Sequence, residues 1–344
     1  MNRYVMQRVW MGMLFLATTA GPAWCHTMDL SPDGRRIAVA WPRADGHSEL
    51  RIVDVATGAI RTIEGGVDAG MPVWSPDGNN IAYSGTAAGK QCSVWLYEAK
   101  LRKNVRLAQS VSGPIVWRED SSRLLAFGKA AGVCLTIPDG YPTWKATLQT
   151  PQPRDDADCA WVPNTDSIVL LMAGDLWIIE GAEAAKLTTT GDVLGFGLQQ
   201  DGKAIVWARA SKDLRTALLS VYVMPLKERS ARRTAAPKLV SAIAAGTVKN
   251  GISVQSVRFS PNGERMAVLC SYADGGTMQT GVFSMRLDGT DARAAAALAK
   301  GEAAASPVFS RDGRQLAVVV IGTAYGRIVV SNTDGTGRRQ VAKD

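Results

Sequence analysis

The chain holds 344 residues, 46% of them hydrophobic and 20% charged, with 34 Gly and 15 Pro. That balance excludes a disordered, collagen-like or coiled-coil protein and allows one large all-β domain or two ordinary ones. The formal charge is +8, and the two histidines, His26 and His47, are too few for most imidazole-based zinc or nucleophile chemistry.

At the N-terminus, Arg3 and Arg8 precede an uncharged, mostly apolar run from Val9 to Ala20, followed by Gly21, Pro22 and Ala23. This is the pattern of a secretory signal peptide, so 1–25 reads as a targeting segment and 26–344 as the mature, exported, periplasmic chain. The run is shorter than the roughly 20 residues of a spanning helix. Cleavage after Ala23 or after Cys25 fits the small-residue rule, whereas lipidation at Cys25 would need a small residue where Trp24 stands. Without 1–25 the charge is +6, which favours acidic partners or anionic envelope surfaces over nucleic acid, for which no binding module is visible.

The rest of the chain repeats itself. VWSPDGNNIAYSG (73–85) is echoed at 29–41, 116–128, 160–172, 196–208, 258–270 and 308–320, with intervals of 44, 43, 44, 37, 61 and 50 residues. Periods of this length denote propeller blades. Each unit reads as an inner strand, a Ser-Pro-Asp-Gly turn, and a β-rich second strand such as 81–85 or 316–320. A third strand (50–54, 93–97, 176–180, 220–224, 327–331) and a short fourth such as 184–188 complete it. Seven units predict 28 strands: an all-β, seven-bladed β-propeller of four-stranded antiparallel blades, with six blades as the alternative count. Only 292–301 (ARAAAALAKG) has helical composition, enough for a turn or two. The residue before each turn is Leu30, Trp74, Trp117, Trp161, Leu198, Phe259 or Phe309, a column suited to blade-to-blade packing rather than to an aromatic cage.

The combination around Pro72–Tyr83 and Arg327–Gln340 resembles the TolB-type propeller repeat, over about 27–344. The resemblance implies a propeller, a periplasmic location and an envelope protein or lipoprotein as partner. TolB proteins carry an α/β domain before six blades. Here the first turn already lies at Ser31 and seven copies follow, so their role does not transfer whole. The function expected on this basis is a non-catalytic, protein-binding scaffold. The alternative is a propeller lyase or hydrolase, or a small-ligand or cation binder, using the acidic channel mouth. No G-x-S-x-G elbow occurs, and two histidines cannot build the histidine-rich metal site of oligogalacturonate-lyase-like propellers.

Three sets of residues are candidates. Asp68, Asp155 and Asp192 each stand seven residues before the Ser-equivalent position, with Asp156, Asp158 and Glu302 nearby. They are candidate oxygen ligands for Ca²⁺ at the channel mouth, the plainer reading being turn capping; no other cofactor is expected. The long interval in blade 5 carries Lys227, Arg229, Arg232, Arg233 and Lys238, of which Arg229, Arg232 and Arg233 are the candidate partner-binding set. Cys92, Cys134, Cys159 and Cys270 are either free thiols or disulfide-bonded, with Cys134–Cys159 and Cys92–Cys134 the pairings between adjacent blades.

Overall fold

The structure, a computed structural model, describes residues 27–343 except 44, 64–67, 87–91, 110, 129–130, 138–139, 141, 148–157, 182, 211–218, 227–237, 244–250, 275–276 and 323–325. The signal-segment reading therefore lies outside the described residues. So do Asp155, Asp156, Arg229, Arg232 and Arg233.

Twenty-eight strands form seven four-stranded antiparallel sheets, each from one continuous stretch of chain. Blade 1 is β1–β4 (Met28–Leu30, Arg36–Pro42, Ser48–Asp54, Ile60–Thr62). Blade 2 is β5–β8 (Gly70–Trp74, Asn80–Gly85, Ser93–Glu98, Lys103–Gln109). Blade 3 is β9–β12 (Val111–Trp117, Arg123–Gly128, Ala131–Thr136, Pro142–Thr147). Blade 4 is β13–β16 (Asp158–Trp161, Ile168–Met172, Asp175–Glu180, Glu183–Lys186), and blade 5 is β17–β20 (Val193–Leu198, Ala204–Ala210, Leu219–Pro225, Lys238–Ile243). Blade 6 is β21–β24 (Gly251–Phe259, Arg265–Asp274, Thr277–Arg286, Arg293–Ala294), and blade 7 is β25–β28 (Ala303–Phe309, Gln315–Ile321, Gly326–Asn332, Arg339–Lys343). The seven-blade count holds, and the six-blade alternative does not. The alanine-rich 292–301 holds the two-residue β24 and turns in place of a helix, because Ala295 N–H bonds to Val282 O (2.8 Å) and draws the segment onto the sheet.

The hydrophobic core is divided into seven clusters, each lying between two neighbouring blades. Second strands alternate between them. Ile37, Val39 and Trp41 of β2 pack toward blade 7, and Ala38 between them packs toward blade 2. Both faces of such a strand are buried, so it reads as a continuous apolar run despite its antiparallel pairing. The ring closes by side-chain packing of blade 1 on blade 7, without an exchanged strand.

The Ser-Pro-Asp-Gly turn has a consistent construction. Ser75 Oγ donates to Asp77 Oδ1 (2.5 Å) and accepts from Asn80 N–H (2.9 Å), Asp77 accepts from Asn79 N–H, and Gly78 takes the left-handed conformation (φ 71°). Ser31 and Ser310 repeat the arrangement. These turns interlock around one end of the axis. Gly34 lies against Gln315, Gly78 against Pro32, Gly202 against Pro163 and Gly313 against Asn262; Asp77 N–H donates to Ser121 Oγ (3.0 Å). Arg118 and Arg123 of blade 3 both reach Asp166 of blade 4. Arg311 of blade 7 meets Glu119 of blade 3 (3.6 Å), a pair between non-adjacent blades that crosses the axial opening at this end.

Blade 5 breaks the aromatic-and-branched pattern of the inner strands. At Gly195 an added Cβ would lie 1.8 Å from Val257 O, and at Gly197 2.7 Å from Phe259 Cβ, so β17 and β21 approach closely because those side chains are missing. Gly195→Ala is expected to lower stability by ~3 kcal/mol or more, since backbone rather than a flexible side chain must move. Chemical denaturation checks this, and an unchanged midpoint would contradict the close approach.

Candidate functional site

Antiparallel order divides the disc into two faces. First-to-second and third-to-fourth strand turns lie on one, the turn face; second-to-third strand turns and the links between blades lie on the other, the connection face. The interlocked turns narrow the axial channel at the turn face, so a ligand has its access from the connection face.

Two positions before each turn, the inner strands contribute Asp29, Val73, Val116, Ala160, Gly197, Arg258 and Val308. All keep some exposure on the innermost strands beside the axis, and Val73, Val116, Ala160 and Val308 also pack against the blade-to-blade clusters. Five of the seven are small or apolar, leaving one carboxylate and one guanidinium on this tier. The sequence analysis followed the aromatic column next to it and the acidic column seven residues before the turn. Aligning this intermediate column would have exposed Asp29 and Arg258 as its departures.

Arg258 bonds through Nη1 to Asp158 Oδ2, reaching from blade 6 to blade 4 past β17, which carries glycine at 195 and 197. The side chains are 44% and 26% exposed, so this pair is accessible to exchange with a ligand. Asp29 is held differently. It accepts from Leu30 N–H (3.0 Å) and, across the blade 1–2 interface, from Trp74 N–H (2.8 Å). Burial of its carboxyl group outweighs both hydrogen bonds and pushes its pKa up to about 7. Thr27 Oγ1 likewise accepts from Met71 N–H (2.8 Å). In the next interfaces the tryptophan side chain makes the link instead: Trp117 Nε1–H donates to Val73 O (3.0 Å) and Trp161 Nε1–H to Val116 O (3.3 Å).

The acidic residues of the connection face are paired. Asp68 accepts from Ser48 N–H (3.3 Å) and meets His47 Nδ1 at 2.9 Å. Asp192 takes a two-point contact from Arg209 (2.6 and 2.7 Å), and Glu302 accepts from Arg327 (3.3 and 2.8 Å) and Ala299 N–H (2.7 Å). Burial pushes the pKa of Asp175 up, but donors from Gly191 N–H, Lys186 and Thr188 more than reverse this and hold the carboxyl below its usual range. The structure thus ties Asp68 and Asp192 to separate partners, His47 and Arg209. Among the described residues no group of three His, Cys, Asp or Glu side chains is placed to hold a metal ion.

All four described cysteines are free thiols, so neither candidate disulfide is formed. Cys134 and Cys159 share the blade 3–4 cluster, and burial pushes the Cys159 thiol well up and the Cys270 thiol to about 12, away from the reactive thiolate.

Neither a family signature nor a characterised protein sequence matches the chain. Solved structures do. The β-propeller domain of the trilobed protease from Pyrococcus furiosus, described as having an open velcro topology, superposes with TM-score 0.61 at 13% identity, over 90% of this chain and 92% of that one. Oligogalacturonate lyase from Vibrio parahaemolyticus gives 0.59 at 11% identity, over 85% of each chain. Acylaminoacyl peptidase from Pyrococcus horikoshii gives 0.58 at 16% identity, over 89% of this chain; the chain spans about half of that protein's length. TolB from Acinetobacter baumannii is a looser match, at TM-score 0.49 and 15% identity.

This is a seven-bladed β-propeller of four-stranded antiparallel blades. The expectation of a non-catalytic protein-binding scaffold is corrected here. The propellers it resembles in shape are chiefly those of peptidases and lyases, so TolB-type repeats carry no preference for a scaffold over an enzyme.

Asp29 yields a pH signature. With its pKa raised on folding from the usual 3.8 to about 7, its contribution to stability is fully present below pH 4 and is lost as pH rises through 7. The difference between the melting curves of wild type and Asp29→Asn should therefore change progressively from pH 4 to about 7 and level off above. A difference constant across that range would refute the raised pKa.

Proposed function

We propose that this protein is an enzyme-type propeller that admits a small, carboxylate-bearing substrate into its axial channel from the connection face. The observation that carries the reading is the tier in which Asp29 and Arg258 stand among small and apolar positions, above a channel end narrowed by interlocked turns. Arg258 would exchange Asp158 for the substrate carboxylate, and the rim pairs Arg209–Asp192 and Arg327–Glu302 would border the approach. Asp29, poised near neutrality, is suited to accept and return a proton.

Of the two enzyme classes, the lyase reading fits the residues better. A serine hydrolase of the peptidase kind needs a nucleophile elbow and a histidine base, and no G-x-S-x-G occurs in 344 residues. Elimination beside a carboxylate held by a guanidinium needs an anion anchor, a base that takes the α-proton, and return of a proton to the glycosidic oxygen as its C–O bond breaks and the C=C bond forms. One carboxyl group that accepts and returns a proton would serve both transfers. The likeness of the whole blade array to an oligogalacturonate lyase makes acidic oligosaccharides the first substrate class to try. The donor set offers no group of three metal-ligating side chains among the described residues. The signal-peptide pattern of the N-terminal segment supports a periplasmic setting for this activity.

The test combines calorimetric binding with absorbance detection of unsaturated products, using short uronate oligosaccharides. Arg258→Met is expected to weaken binding about tenfold or more, as for loss of a charge-assisted hydrogen bond. Asp29→Asn should bind within a few-fold of wild type and lose about 10²-fold or more in turnover. Binding indifferent to Arg258 would overturn the reading.

A further inference from the structure

The third-to-fourth strand turn of blade 2 differs from those of blades 1, 6 and 7. In blades 1, 6 and 7 this turn is closed by an aspartate bonded to a threonine two or three residues on. Asp54 accepts from Thr57 N–H and Oγ1 (both 2.8 Å), Asp288 from Thr290 (2.9 and 2.6 Å) and Asp334 from Thr336 (2.9 and 2.6 Å). Blade 2 instead reads Glu98-Ala-Lys-Leu-Arg-Lys103. Ala99 N–H bonds to Asn79 O (3.0 Å), and Arg102 occupies a left-handed position (φ 53°) without being glycine. The turn is thus anchored at its base while its tip carries no acid-capped loop.

The tip is both apolar and basic. Leu101 is 69% exposed, and Ile60 of β4 (44%) is the other large hydrophobic side chain that stands out among the described residues. Arg61 of β4 stacks over the Tyr97 ring at 5.7 Å, and Tyr97 lies in the strand that leads into the turn, whereas Ile60 pairs with Val53 on the blade 7 side of its sheet. Lys100, Arg102, Lys103 and Arg106 are exposed, and none of them takes part in an ion pair among the described residues. Glu98 is the one acid of the turn and its flanking strands.

We propose that this tip docks the protein on an anionic membrane surface. Leu101 enters the boundary between headgroups and acyl chains, while Lys100, Arg102 and Lys103 lay their stems along it and pair with lipid phosphates. An acidic protein is the less suitable occupant. A stable protein interface covers about 800 Å² per partner around aromatic or arginine anchors seated in pockets, whereas here a single leucine stands exposed at the tip of a hairpin turn. A lone leucine ringed by free cations matches shallow, reversible lipid contact. The turn lies on the turn face, so a docked propeller keeps its connection face, and with it the channel mouth, toward solvent. The inference does not depend on what enters the channel.

The experiment is co-sedimentation of the full mature chain with phosphatidylcholine vesicles, with and without phosphatidylglycerol. Binding is expected to rise about tenfold or more with the anionic lipid and to be lost when salt shortens the screening length to ~3 Å. Lys100→Glu with Lys103→Glu should abolish it, and Leu101→Ser should weaken it several-fold while leaving its salt dependence. Because these side chains point outward, all variants should keep the wild-type melting temperature. Equal sedimentation with neutral vesicles, undiminished binding by the charge-reversed variant, or capture by an acidic protein without vesicle binding would each overturn the proposal.

Discussion

Everything in this molecule follows from the fact that each sheet has two apolar faces and too few residues to cover either. In β2 the large side chains Ile37, Val39 and Trp41 serve one interface and Ala38 the next; in β26, Leu316, Val318 and Val320 serve one, while Ala317, Val319 and Ile321 serve the other. No blade has a private core, so none is expected to be stable alone, and the array must continue until its last sheet meets its first. Closure between blades 1 and 7 is made of the same side-chain packing as every other interface, with Trp41 and Ile328 among its members. The ring therefore behaves as a repeat protein bent back on itself.

That arrangement explains how well the fold was legible. The Ser-Pro-Asp-Gly turn is a local device, since the Ser75 hydroxyl, Asp77 and Gly78 satisfy one another within five residues, and its recurrence marks each blade without reference to distant contacts. Strand order follows from adjacency in the chain. The helical composition of 292–301 misled because its alanines are chosen for the narrow space between blades 6 and 7, where Ala295, Ala296 and Ala304 pack together. Small size, rather than helix propensity, is what that position selects.

The candidate site was much less legible, for a physical reason. Acidic residues at Asp68 and Asp192 drew attention as a possible cation cluster, but charge partners in a propeller come from other strands. His47 lies 21 residues before Asp68, and Arg209 lies 17 after Asp192, in the neighbouring strand of its own blade. Counting carboxylates along a chain cannot register those neutralising partners. The Arg258–Asp158 pair is harder still. It spans 100 residues and two blades, and depends on the missing side chains at Gly195 and Gly197 between them.

The same repeat that hides such pairs also supplies the means to find them. In a propeller, equivalent positions meet nearly equivalent surroundings, so the packing role of a column is set by its majority. Valine at 73, 116 and 308 defines what the channel tier requires structurally, and neither a carboxylate at 29 nor a guanidinium at 258 answers that requirement. Asp29 shows what such a departure costs: two backbone hydrogen bonds do not restore the hydration its carboxyl group gives up, and its pKa rises to about 7. The basic turn at 99–103 departs from its own column in the opposite sense, giving up an Asp–Thr closure that costs nothing to keep at a solvated surface. One departure loads charge where burial is expensive, and the other strips a local stabilising contact where solvent makes no demand. Packing accounts for neither: one lies on an innermost strand beside the axis, the other on an outer turn at the solvated surface.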